Sequence, residues 1–76
     1  MPHVIVKLYA GRTEQQKALL AEEITKAVMT SLGSAERAIS VSIEDIQPAD
    51  WEEQVHRPDI LGKPDQLYKK PGSGPA

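Results

Sequence analysis

Cysteine is absent from the 76 residues of this chain. That absence removes disulfides, iron–sulfur clusters, thiolate zinc sites and a cysteine nucleophile together. Histidine is almost as scarce: His3 and His56 lie far apart and show no metal-ligand spacing, so no metal site is expected. No apolar run approaches the roughly 20 residues of a membrane span, and no charged-then-apolar leader comes first. A soluble, cytoplasmic protein is the expectation. Charge of one sign is missing too, with 9 Lys+Arg against 11 Asp+Glu and a formal net charge of −2. A nucleic-acid binder would show a basic stripe interleaved with aromatics. Here Lys69-Lys70 beside Tyr68 reads as a solvated tail. Length is the last shortage. Chains of this size bury only about 60% of their unfolded surface and need an added staple. With disulfides and metal excluded, the staple left is association, and a homo-oligomer is expected.

What is present begins at once. Val4, Val6 and Leu8 alternate with His3, Ile5, Lys7 and Tyr9, the period of a strand. Ile5 leaves neither face cleanly polar, as expected when one face covers a helix and the other meets a partner. Ala10-Gly11-Arg12 turns the chain. Thr13 with Gln16 three residues on forms a capping box. The helix that follows carries Leu20, Ala21, Ile24, Ala27, Val28 and Leu32 on one apolar stripe, read as core packing. Gly33 is the expected C′ residue, in the left-handed conformation.

After Ser34–Arg37, Ile39, Val41 and Ile43 alternate with Ser40, Ser42 and Glu44 in a second strand. A long crossover helix calls for a parallel pair with a right-handed connection, one βαβ unit. Two strands and one helix leave sheet edges open, so a second copy must complete the sheet. Asp50 is the expected cap of a short helical turn over Trp51–Gln54. From Pro58 the pattern breaks up with proline and glycine. Residues 1–57 therefore read as the βαβ core with its short turn, and 58–76 as an extended arm of the same single domain. Ile60, Leu61, Leu67 and Tyr68 are the arm's candidate anchors, and Ser73–Ala76 is expected to be disordered.

The chemistry starts at Pro2. Methionine aminopeptidase acts when the second residue is small, and its action would leave Pro2 with a free secondary amine at the root of a strand. A general base needs a pKa near the working pH. An α-amino group titrates at about 7.7–8.0 and a proline amine intrinsically higher. Burial and a nearby cation both disfavour the ammonium form. Val4, Ile39 and Trp51 are candidates for apolar surroundings, Arg12 for the cation, and His3 for a neighbour that tunes the base. With Met1 in place the nitrogen is an amide and cannot serve.

Pro2 heading a strand, Gly11-Arg12-Thr13-Glu14-Gln15-Gln16-Lys17 opening the helix, and Trp51 after the second strand together resemble the 4-oxalocrotonate tautomerase family. The similarity covers roughly the first 54 residues, and the arm ending in Lys69-Lys70-Pro71-Gly72 looks like the phenylpyruvate tautomerase subgroup of enteric bacteria. The resemblance implies an α+β, MIF-like βαβ subunit and a cofactor-free isomerase. It assigns Pro2 to proton transfer, Arg12 to the substrate carboxylate and Trp51 to an apolar pocket wall. Ser40 departs from the pattern, since relatives carry a second arginine there. Arg37, Arg57 and Lys7 are the candidates to replace it. The implied reaction is enol–keto tautomerisation of a small 2-oxo acid such as phenylenolpyruvate, with a homodimer favoured over a hexamer. Two alternatives stand beside it. One is a hydratase, dehalogenase or decarboxylase of the same superfamily, with Glu44 or Asp45 activating water. The other is a non-catalytic oligomer that binds a metabolite or a protein.

Overall fold

Strand β1 (His3–Tyr9), helix α1 (Glu14–Leu32), strand β2 (Ser40–Ile46) and helix α2 (Glu52–Leu61) follow one another in the computed structural model, which describes residues 1–72. The two strands pair in parallel, from His3 opposite Ser40 to Tyr9 opposite Ile46. The βαβ expectation holds. Because side chains alternate along a strand, this register sorts the sheet into two faces. Val4, Val6 and Leu8 share one with Val41, Ile43 and Asp45; His3, Ile5, Lys7 and Tyr9 share the other with Ser40, Ser42, Glu44 and Ile46.

Helix α1 lies on the first face. Its start is the expected capping box: the Gln16 N–H donates to Thr13 Oγ1 at 3.0 Å, and the Thr13 N–H donates to Gln16 Oε1 at 2.9 Å. It ends at Gly33, which is left-handed with φ 71°. Lys17 ties the helix to the sheet, donating to Asp45 Oδ2 at 2.9 Å. Leu20, Ala21, Ile24 and Val28 are half-buried as the stripe requires, but Ala27 and Leu32 are exposed. For Leu32 the reason is length: at 1.5 Å per residue α1 is about 28 Å long, while a seven-residue strand spans about 23 Å, so its last turn overhangs the sheet.

Helix α2 covers part of the second face, and here the structure corrects the sequence reading. Asp50 caps nothing; it closes a 3₁₀ turn over Pro48–Asp50, and the helix then runs through Pro58 to Leu61. In an α-helix the proline ring would strike the carbonyl four residues back. Here the winding is of π type, and the wider i→i+5 spacing relieves that clash. The Gly62 N–H continues it, donating to the Arg57 carbonyl at 2.9 Å. Gly62 also packs too closely for any side chain, since a Cβ there would stand 2.6 Å from the Pro58 carbonyl oxygen. The boundary placed at Pro58 therefore moves to Gly62. Of the expected anchors, Ile60 within α2 and Leu67 beyond it are half-buried, whereas Leu61 and Tyr68 are exposed. Ser73–Ala76, expected to be disordered, lie outside the described residues.

Burial is thin throughout. Among the described residues only Ile46 and Val55 are buried hydrophobics, and both sit where α2 meets the second face. Farther along that face no described residue of the same protomer covers Ile5, which is 56% exposed. Both outer strand edges are open as well, because the sheet has two strands. No described helix is long and apolar enough to cross a membrane.

One ion pair holds α2 down: Lys7 Nζ donates to Asp59 Oδ2 at 2.6 Å. The hydrogen bond from Lys7 lowers the Asp59 pKa below its ordinary 3.8, and the bond to Asp59 raises Lys7 above its ordinary 10.5. The carboxylate's contribution is complete above pH 3.8 and is lost as pH falls through the lowered value. The ammonium's is complete below pH 10.5 and is lost as pH rises through the raised one. Asp59→Asn should therefore loosen α2 between those limits and change little in acid. Amide exchange over residues 52–61 at neutral and acidic pH checks this, and equal protection in both proteins at neutral pH would refute it.

Candidate active site

The end of β1 builds one half of the site. The Ala10 N–H donates to the Ile46 carbonyl at 2.9 Å, and Gly11 then adopts φ 122°, a conformation that favours glycine. The chain turns sharply there and leaves Arg12 at the rim of a cleft of about 520 Å³. Trp51 and Tyr9 form its aromatic wall, edge to face with centroids 4.9 Å apart and planes at 84°. Ile60 and Leu8 add apolar lining, and the arm returns to close one side with Pro71 and Gly72.

Three lining groups can carry positive charge: Lys7, Arg12 and His56. Lys7 is neutralised by Asp59, which also receives Lys63 at 3.5 Å. Arg12 is exposed and has no acidic partner among the described residues. An unpaired guanidinium fork beside an aromatic wall suits a carboxylate joined to an apolar or aromatic group. His56 Nδ1 lies 2.5 Å from Glu52 Oε2, one turn back on α2. Sequence reasoning passed over this pair. Its signal is the four-residue Glu–His spacing, which has meaning only on a helix that continues past Gln54. No three His, Cys, Asp or Glu side chains gather into a metal-holding group among the described residues.

Pro2 stands at the other end of β1. Its carbonyl accepts from the Ser40 N–H at 3.2 Å, and His3 Nδ1 shares a 2.6 Å hydrogen bond with Ser40 Oγ. Ser40 is thus beside the proline. Arg37 lies on the turn Glu36–Ala38 leading into the same end of the sheet. Arg57 is exposed on α2 and does not line the cleft. Val4 and Ile39 are half-buried near Pro2, as the sequence reading has it. Trp51 and Arg12 are not near it. Seven strand residues at about 3.3 Å each put Arg12 roughly 23 Å from Pro2 within one protomer. One chain therefore holds Pro2 with Ser40 and, separately, Arg12 with Trp51.

Comparison with known proteins agrees with this architecture. The family model described as "Tautomerase enzyme" matches residues 2–59. A probable tautomerase of Xylella fastidiosa is 42% identical over 74 residues, covering 97% of this chain and 90% of that protein. Tautomerase PptA of Escherichia coli O127:H6 is 38% identical over 73 residues, covering 95% and 96%. Among solved structures, TomN, a 4-oxalocrotonate tautomerase homologue of the tomaymycin biosynthetic pathway, superposes with a TM-score of 0.65 at 36% identity, covering 66% of this chain and 77% of its own. YwhB, another homologue, gives 0.59 at 43% identity, covering 60% and 75%. The family model, the relatives and the solved structures agree, and the chain belongs to the tautomerase family of isomerases.

Proposed function

We propose that the protein interconverts the enol and keto forms of a monocarboxylic 2-oxo acid bearing an aryl group, such as phenylenolpyruvate, with Pro2 as the base. The observation that carries this reading is Arg12, unpaired at the rim of a cleft walled by Trp51 and Tyr9. Arg12 takes the carboxylate and Trp51 the aryl group. That cleft lacks the base, and Pro2 is a strand's length away. A two-fold partner running the opposite way brings its own Pro2 to this Arg12, and the reciprocal contact forms a second, identical site. The exposed Ile5 face and the open edges supply the surface for such a partner. The homodimer is favoured over the hexamer because the arm occupies surface that further subunits would need. A cytoplasmic location fits this chemistry. Met1 is 96% exposed, which leaves the bond before Pro2 open to a peptidase. Of the two carboxylates that a water-activating reaction would use, Asp45 is held by Lys17 on the helical side of the sheet, which leaves Glu44 as the carboxylate for the hydratase alternative.

Pro2→Ala in processed protein should lower the ketonisation rate at least about tenfold, the low end of a general base's effect because a primary amine remains. Ultraviolet absorbance of the enol follows the reaction; equal rates at matched folding would remove Pro2 from the mechanism.

Ser40 sets the second expectation. A hydrogen bond to a charged group is worth roughly 1.5–3 kcal/mol, so lacking one arginine contact weakens a dicarboxylate about ten- to a hundredfold. Ser40→Arg should raise kcat/KM for 2-hydroxymuconate more than for phenylenolpyruvate, and Trp51→Ala should harm the aryl substrate more. If the unaltered protein already prefers the dicarboxylate, another cation such as Arg37 has taken the arginine's place.

A further inference from the structure

A 2-oxo acid presents two oxygen sites, a carboxylate and the oxygen on C2. Arg12 answers the first, and nothing assigned so far answers the second. Lys7 lines the cleft, but its ammonium is bound to Asp59 at 2.6 Å. That leaves His56 as the remaining lining group able to carry positive charge. Its partner fixes its orientation. An ionised carboxylate only accepts, so the proton of the 2.5 Å contact resides on Nδ1, which donates to Glu52 Oε2. Nε2 is the atom left for a ligand. The side chain is 38% exposed, so it is reached from solvent without rearrangement.

The geometry points to His56 as a second substrate-binding catalytic residue, donating from Nε2–H to the C2 oxygen, with Glu52 as its positioning residue. This rests on the reading of the cleft given under Proposed function. In the step, Pro2 of the partner takes the enol O–H proton, the O–H pair becomes the C2=O π bond, and the C2=C3 pair moves to C3. The protonated proline then delivers the proton to C3, so the product is an isomer of the substrate and no co-reactant is consumed. His56 keeps its protons throughout. Its work is to hold the oxygen while negative charge collects there, with Glu52 steadying the ring at Nδ1. The other charged groups lining the same cleft are Arg12 and Lys7, and Lys7 is already neutralised by Asp59. A donor aimed at developing charge acts on kcat more than on KM. In this way a histidine on α2 does what a second arginine would do at position 40.

His56→Phe keeps a ring in place and removes the donor. Loss of one preorganised donor costs about 100- to 1,000-fold in a closed site, and in this open cleft about 30- to 100-fold is expected in kcat for phenylenolpyruvate, with KM changed less than about threefold. His56→Gln, which retains an N–H, should recover about a third or more of the lost activity on a logarithmic scale, and Glu52→Gln should fall between it and the unaltered protein. A merely structural histidine would lower the melting temperature without this split and without rescue by glutamine. Pro2→Ala is measured alongside. If Pro2→Ala is slow while His56→Phe stays within about twofold of the unaltered enzyme, the role of His56 is overturned and the proposed function stands. If both variants match the unaltered enzyme, the proposed function falls as well. If His56→Phe does not fold, His56→Ala decides by the same criteria.

Discussion

The parallel pairing of β1 with β2 is the constraint on which the other features depend. Because both strands run the same way, the residue before β1 and the residue opening β2 meet at one end, and the turn after β1 meets the segment after β2 at the other. Pro2, His3 and Ser40 are gathered by the first meeting, and Arg12, Tyr9 and Trp51 by the second. The crossover helix that makes this possible is itself held by local chemistry, a capping box at its start and a left-handed glycine at its end. An antiparallel hairpin of the same strands would have mixed the two groups.

The same pairing leaves the protomer incomplete. Helix α1 covers one face of the sheet, and α2, pinned through Lys7 and Asp59, covers the end of the other near Tyr9. Where α2 stops, Ile5 is left in water. A single protomer in which Ile46 and Val55 are the only buried hydrophobics among the described residues has little hydrophobic stabilisation to set against the conformational entropy of ordering its chain. Association and catalysis then share one cause. The uncovered stretch of the second face adjoins Pro2 and Ser40, so whatever covers it also meets Pro2.

Much of this was legible in the sequence because it is written in local periods. The alternation from His3 to Tyr9, the Thr13–Gln16 box, the stripe from Leu20 to Val28 and the stop at Gly33 each depend on residues a few positions apart. Helix α2 was not legible beyond Gln54. A proline at position 58 ordinarily ends a helix, and only the wider π winding, with its close approach at Gly62, lets the chain pass. Missing that helix also hid His56 and Glu52, whose contact exists only if the turn continues. The candidate site residues Pro2, Arg12, Trp51 and Ser40 could be named one by one from the family pattern. Their division between the two ends of a strand is a property of the fold, and no local spacing reports it.

The central claim is that each site draws Pro2 from one protomer and Arg12 from another. It is tested by refolding Pro2→Ala and Arg12→Ala chains together after confirming that each alone is nearly inactive. In a mixed dimer one site would carry both substitutions and the other neither, so an equal mixture should regain about a quarter of the unaltered activity. A mixture no more active than its two parents, with subunit exchange verified by native mass spectrometry, would contradict the shared site.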